Sequence, residues 1–421
     1  MTSRPFARPL RWLAAFGLTV VAPLASAGYF QWEMVELTGA ASCGNGTPYR
    51  FFVNRTPLSK DVVMVYEGGG ACWDQKACLG EGALGATNPD GIPVDYMTQL
   101  DGVAFGLVTP FSNRNDPFQA VQTQSWNIVF LPYCTGDVHT GSKTTVYDDA
   151  YPETPRVQHH AGQANIRGAA QWLRANLGQP RKMMLTGYSA GGVGSTSTYG
   201  IMRDTLQPTG NATLLADSGP LMPAPRSGTP EQYPSLPLHN KIRDVWGLDE
   251  PGGLVASYGA SFPAFDPNNL GSINGALAQR YPQDRFGFMA FQADQNFSAF
   301  SYAKFYDDIA NAPNPRAYRE ALFSRWEPDI ARWTADLSQH ANVAYHVPYF
   351  RNFNQSHCLT IIDFSGTGIQ ELNVDSVLSF VDASLDRGPV TRQTEVDRLA
   401  DLTQILSPAI RLFKLLERLL T

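Results

Sequence analysis

Two glycine-rich segments and one histidine carry the residue types from which an acyl-transfer site can be assembled. Gly187-Tyr188-Ser189-Ala190-Gly191-Gly192 fits a G-x-S-x-G pattern between an apolar β-forming run, Lys182 to Tyr188, and a small-residue stretch of helical character from Ala190. In such a pattern a strand turns so sharply into a helix that the flanking positions must lack bulk, and the serine is strained with its hydroxyl above the sheet. Ser189 is the expected nucleophile. A serine hydroxyl reacts poorly near neutral pH, so it also needs a base, and the negative oxygen formed on the attacked carbonyl needs donors. Glu67-Gly68-Gly69-Gly70-Ala71-Cys72-Trp73 follows the run Val62 to Tyr66, and its bare backbone can aim N–H groups at a substrate oxygen. The expected oxyanion donors are Gly69, Gly70 and Ala190.

Chains with this elbow run in the order serine, acid, histidine, with the histidine on a loop after the last strand. His239, His340, His346 and His357 lie beyond Ser189. His346 falls inside an expected strand, His340 closes an expected helix and His239 sits in a Pro-rich stretch. That leaves His357 as the base. His159 and His160, expected on a helix before the elbow strand, come too early. The acid should follow a strand between serine and histidine, which selects Asp294, after the run Phe286 to Gln292. Asp217, at the end of Ala212 to Ala216, is the competitor, although a buried structural carboxylate is the commoner outcome there.

These residues must be positioned by the elements around them. Val62 to Tyr66, Asn127 to Tyr133, Lys182 to Tyr188, Ala212 to Ala216, Phe286 to Gln292 and Val343 to Phe350 read as strands, and their lack of alternation suits burial on both faces. Helical periodicity lies between them, with Ile166, Ala170, Leu173 and Leu177 on one stripe and Gly178 as the stop, and again over Val374 to Leu385. The expected class is therefore α/β, a mostly parallel central sheet with helices on both faces, in a single domain over 28–421. Pro, Gly and Ser are dense after Pro220, so 220–285 reads as a cap or insertion near the active edge. In the tail 396–421, Ser407-Pro408 is a helix start, with Ile410, Phe413, Leu416 and Leu420 on one side and Arg411, Lys414 and Arg418 on the other. Packing on the sheet or on a second chain is the plain reading of that tail, and surface attachment to a membrane is the sharper one.

Of 421 residues, 43% are hydrophobic and 17% charged, which excludes a disordered chain. Arg4, Arg8 and Arg11 precede the apolar run Trp12 to Ala25, and Ala25-Ser26-Ala27 offers a cleavage site, so residues 1–27 read as a signal peptide of a secreted or periplasmic protein. Retention of Leu10 to Ala27 as a membrane anchor is the alternative. Cleavage would take the net charge from −6 to −9, since the leader holds three Arg and no acid, which argues against nucleic-acid binding through the overall field. Five cysteines in an exported chain are candidate disulfides with one left over. Cys72 and Cys78 flank a short loop, and Cys43 and Cys134 lie beside expected strands; these two pairings are favoured among several. No cysteine spacing resembles a zinc site, so neither metal nor cofactor is expected.

Taken together, these motifs resemble the family that unites plant pectin acetylesterases with Notum, the secreted animal carboxylesterase. The similarity runs from about Gly39 to Cys358 and rests on five segments in matching order. They are Ser42-Cys43-Gly44-Asn45-Gly46-Thr47-Pro48, Tyr66 to Trp73, Pro132-Tyr133-Cys134-Thr135-Gly136-Asp137, Thr186 to Gly192, and Ser356-His357-Cys358. The resemblance implies an α/β-hydrolase fold, a Ser189–His357–Asp294 triad, oxyanion donors Gly69, Gly70 and Ala190, and bridges Cys43–Cys134 and Cys72–Cys78. It implies a secreted serine carboxylesterase, first for acetyl groups on polysaccharide and alternatively for longer acyl chains on lipid, polymer or protein. Trp73, Tyr133, His139 and Phe262 are expected to line the substrate site. A reading of another class is a silent secreted binding protein on the same fold. Two departures stand out: the family pairs the cysteine beside its histidine with a distant one, which Cys358 lacks, and the segment around Asp294 matches poorly.

Overall fold

The computed structural model describes residues 28–82, 84–98, 108–397, 406–412 and 414. The leader at 1–27 lies outside the described residues, as do 398–405, 413 and 415–421 of the tail. No described helix is long and apolar enough to cross a membrane. Eleven strands form among the described residues, in chain order Trp32–Glu36 (β1), Arg50–Asn54 (β2), Val62–Tyr66 (β3), Asn127–Leu131 (β4), Lys143–Tyr147 (β5) and Arg156–His160 (β6). They continue with Met183–Tyr188 (β7), Ala212–Asp217 (β8), Arg285–Met289 (β9), Val343–Val347 (β10) and Arg392–Thr394 (β11).

Nine strands make one sheet in the order β1-β2-β4-β3-β7-β8-β9-β10-β11, while β5 and β6 pair as a separate antiparallel ribbon. From β4 to β11 every neighbour is parallel, and β2 pairs antiparallel with both β1 and β4. β3, β4, β7, β8 and β9 are buried at every position, which is why their sequences are continuous apolar runs: a strand covered on both faces has no polar side to alternate with. The helix Gly162–Asn176 buries Ile166, Ala170 and Leu173 and stops at Gly178, whose φ of 75° suits glycine. His159 and His160 lie in β6 rather than on a helix, because that segment pairs with β5.

Parallel pairing puts the carboxyl ends of the central strands at one rim. Tyr66 of β3 pairs with Gly187 of β7, Tyr188 with Asp217 of β8, and Asp217 with Met289 of β9. The chain therefore leaves at neighbouring points into the loops that begin at Glu67, Ser189, Ser218 and Ala290, where ligands bind in open parallel sheets. The expected insertion at 220–285 falls in the crossover 218–284 between β8 and β9, save for Arg285, which opens β9, and three helices in it, Leu236–Val245, Leu254–Ser261 and Ile273–Arg280, pack against the body of the fold.

Candidate active site

At the end of β7, Ser189 has φ 57° and ψ −123°, a left-handed state in which a non-glycine residue is strained. The helix Ala190–Ser197 begins at once behind it. The turn tolerates no side chain at two flanking positions: a Cβ on Gly187 would stand 2.3 Å from the Gly191 carbonyl oxygen, and one on Gly191 would stand 2.1 Å from that of Tyr66. Those contacts are the physical content of the G-x-S-x-G pattern.

A cavity of about 540 Å³ opens beside Ser189 and is lined by Gly69, Gly70, Ala190 and His357, so all the expected oxyanion donors face the same space as the serine and the histidine. Gly69 and Gly70 take φ of 131° and 63°, and a Cβ on Gly70 would stand 2.3 Å from the Gly85 carbonyl oxygen. Glu67, which opens this loop, is 1% exposed. Its Oε2 accepts from the Tyr133 N–H at 2.7 Å and its Oε1 from the Tyr96 hydroxyl at 2.6 Å. Burial lifts its pKa from 4.5 to about 7 against those donors. The Cys72–Cys78 disulfide closes the turn directly after the glycines, and Cys43–Cys134 is the second bridge.

Asp294 caps the helix Gln295–Tyr302, its Oδ1 accepting from the Phe297 N–H at 2.8 Å. Its Oδ2 accepts from His357 Nδ1 at 2.8 Å, and the carboxylate is fully buried. In the neutral imidazole that contact fixes the tautomer and leaves Nε2 as the accepting nitrogen. Burial alone would lower the His357 pKa; the Asp294 carboxylate outweighs it and holds the imidazole well above its ordinary 6.5. Cys358 is free and buried, and burial pushes its thiol up to about 11.

Asp217 sits elsewhere. Its Oδ1 accepts from the Leu359 N–H at 2.9 Å and the Ser218 hydroxyl at 2.9 Å, and its Oδ2 from the Thr360 N–H at 2.8 Å and the Thr360 hydroxyl at 2.7 Å. Ser218 Oγ in turn accepts from the Cys358 N–H at 2.9 Å. Burial raises the Asp217 pKa against the pull of these donors. The carboxylate that competed for the role of acid grips the backbone just after His357. From the other side, the wholly buried Arg351 donates to the carbonyl oxygens of Cys358 at 3.3 Å, Leu359 at 3.4 Å and Asp363 at 2.8 Å. Burial lowers its pKa to about 10, against the Asp363 carboxylate. The loop needs this grip because Asn354, Gln355, Ser356, Cys358 and Ile362 all have positive φ, between 47° and 66°. Each such residue costs about 1–3 kcal/mol and persists only where its surroundings hold it.

The four residues expected to touch substrate are placed differently. Tyr133 is fully buried and accepts through its hydroxyl from the Val138 N–H, and His139 Nε2 bonds the Glu67 carbonyl oxygen. Both therefore help hold the segment that opens at Glu67. Phe262 stacks on Tyr258 with centroids 4.4 Å apart, and Trp73 lines a neighbouring cavity with Asp74 and Lys304. None of the four lines the cavity beside Ser189, nor does any residue of 220–285. Its apolar wall comes instead from residues such as Val108, Val138, Phe297, Phe300 and Ile362. Apolar residues in loops and on a short helix carried no signal of that role.

Residues 27–236 match the Pectinacetylesterase (PAE) family model. The chain is 25% identical over 164 residues to palmitoleoyl-protein carboxylesterase notum2 of Xenopus laevis, a match covering 36% of this chain and 28% of that protein's length. The fold is similar to the crystal structure of the Wnt deacylase Notum from Drosophila, with a TM-score of 0.51 and 17% identity over 86% of this chain and 96% of the other.

Proposed function

The chain belongs to the pectinacetylesterase and Notum family, a family of esterases and deacylases, and from that premise we propose that it hydrolyses an O-acyl ester through a Ser189–His357–Asp294 triad. The reading is carried by one arrangement: the buried carboxylate of Asp294 lies 2.8 Å from His357 Nδ1, and His357 and Ser189 line the same cavity. His357 Nε2 takes the proton as Ser189 Oγ attacks the ester carbonyl carbon. The N–H groups of Ala190 and of Gly69 or Gly70 receive the oxyanion, the imidazolium gives its proton to the departing alcohol, and water activated by the same imidazole releases the acid. The two disulfides favour an oxidising compartment, in keeping with export by the leader at 1–27.

The cavity favours the longer-chain form of this activity. An acetyl group would reach little of the apolar wall of this cavity of about 540 Å³, whereas an extended acyl chain would bury against Val108, Phe297, Phe300 and Ile362. Acetyl removal from a polysaccharide is the second reading, favoured by the pectinacetylesterase match. A fluorophosphonate probe should label Ser189 in the wild type and not in Ser189→Ala; an unlabelled wild type would point to a binding protein. Among p-nitrophenyl esters, kcat/KM should peak at octanoate or beyond, and a peak at acetate would select the second reading.

The acid limb of kcat/KM should have a midpoint above 6.5, because the base must be neutral and Asp294 favours its protonated form. Asp294→Asn removes that bias, so its midpoint should move down while kcat falls by about 10⁴-fold. An unmoved midpoint would reject the Asp294–His357 assignment.

A further inference from the structure

The carboxy-terminal segment has no counterpart in the motifs that define the family, yet it packs on the wall of the cavity. Residues 408–412 and 414 are helical. Ser407 is the cap: its Oγ accepts from the Ile410 N–H at 3.2 Å and donates to Asp363 Oδ2. The Ser407 N–H adds a bond to Ser365 Oγ at 3.1 Å, and Lys414 Nζ reaches the Asn352 carbonyl oxygen at 2.9 Å. Leu406, Ala409 and the fully buried Ile410 close on Ile362, with Val108 and Phe353 beside them. Ile362, Val108 and Phe353 all line the cavity beside Ser189, so one layer of side chains separates the tail from the space an acyl group would fill.

Ile362 stands out within that layer. Its φ is 66°, a state that a β-branched residue adopts only under constraint. The constraints are its N–H bond to the Val108 carbonyl oxygen, the ties on Asp363 next to it, and the tail packed behind it. Without the tail, Ile362 loses its apolar backing and is free to relax into an ordinary conformation, withdrawing the wall.

We propose that the segment 406–412 buttresses the acyl pocket from outside and that Ile362, packed between that segment and the cavity, sets which acyl chains are accepted. The proposal rests on the esterase reading for its substrate and deepens it to an apolar acyl chain whose far end runs along the tail-backed wall. Ile410 does not itself line the cavity, so a change there acts through Ile362.

The test compares the wild type with Ile410→Ala, the conservative Ile410→Val, and a chain ending at residue 405. For Ile410→Ala and the truncation, kcat/KM on p-nitrophenyl octanoate should fall about tenfold relative to acetate, the size of effect that lost apolar contacts in a pocket produce. Acetate turnover and fluorophosphonate labelling should stay within about twofold of wild type, and Ile410→Val should restore most of the preference. Affinity for the fluorescent fatty acid cis-parinaric acid should weaken in parallel, a readout that needs no turnover. An unlabelled wild type would sink the esterase reading while leaving the parinaric series to decide the pocket wall. Unchanged chain-length preference and unchanged parinaric affinity in a labelled, truncated chain would overturn the proposal. So would equal losses on acetate and octanoate, which would make the tail a support for folding alone.

Discussion

On one side of Ser189, the glycine loop runs directly into a covalent tie, Cys72–Cys78, and begins at a buried carboxylate, Glu67, bound to Tyr96 and Tyr133. On the other side, the histidine loop has no covalent tie at all, although it contains a cysteine, Cys358. It is held between the carboxylate of Asp217, which takes the N–H groups of Leu359 and Thr360, and the guanidinium of Arg351, which takes carbonyl oxygens of the same stretch. The two devices act on different states. A disulfide works chiefly by restricting the unfolded chain. A buried polar clamp works only in the folded chain, and each lost member strands a desolvated partner. His357, the proposed base, therefore depends on the clamp, which suits a ring proposed to serve both Asp294 and the serine.

The largest expected effect follows from that dependence. Arg351→Ala removes the charge beside the buried Asp363 and strands several buried carbonyl oxygens, and should cost about 3–5 kcal/mol with loss of measurable turnover. Arg351→Lys should rescue little, because an ammonium cannot span acceptors that a planar guanidinium reaches together. Urea unfolding of the three proteins would decide it. An Arg351→Ala protein of near-wild-type stability would mean that the loop is held by its apolar packing, and the contrast drawn above would fail.

Removing the covalent tie should do less. Cys72 and Cys78 are six positions apart, so Cys72→Ala/Cys78→Ala should cost about 2 kcal/mol by loop entropy. The acid midpoint of kcat/KM should stay where it is, since nothing on the histidine side has changed. A midpoint that moved with the disulfide would show the two loops to be one mechanical unit.

What could be read in advance divides along the same line. β3, β7 and β8 announced themselves as apolar, β-branched runs, and the elbow and glycine loop were legible because a sharp turn and a bare backbone each demand particular residue types locally. β1, β2, the β5–β6 ribbon and β11 were not legible: they are short or carry polar, partly exposed positions, and exist because distant partners pair with them. The clamp was half legible. Asp217 was marked as a buried strand-end carboxylate, which fits its place, but its partners and those of Arg351 are mostly backbone groups that leave no trace in side-chain types. Trp73, Tyr133, His139 and Phe262 misled because an aromatic near a motif is as suited to backing a loop as to facing a substrate.

The smallest effect is the most discriminating. Ser218 has φ 50°, so alanine at this position bears the same backbone strain and Ser218→Ala isolates the hydroxyl. That hydroxyl links Asp217 to the Cys358 N–H, one residue past the base, at 2.9 Å on each side. Its loss leaves a buried N–H without its acceptor and should cost about 1 kcal/mol. Any loosening of the ring weakens the hold of Asp294 on the imidazolium, the interaction that raises the His357 pKa, so the acid midpoint should shift to lower pH. In the same variant kcat should fall several-fold while KM for a short ester stays constant, as expected when a positioning contact rather than a binding contact is lost. Lower stability with an unmoved midpoint and unchanged kcat would reduce the clamp to scaffolding, leaving Asp294 alone to aim the ring.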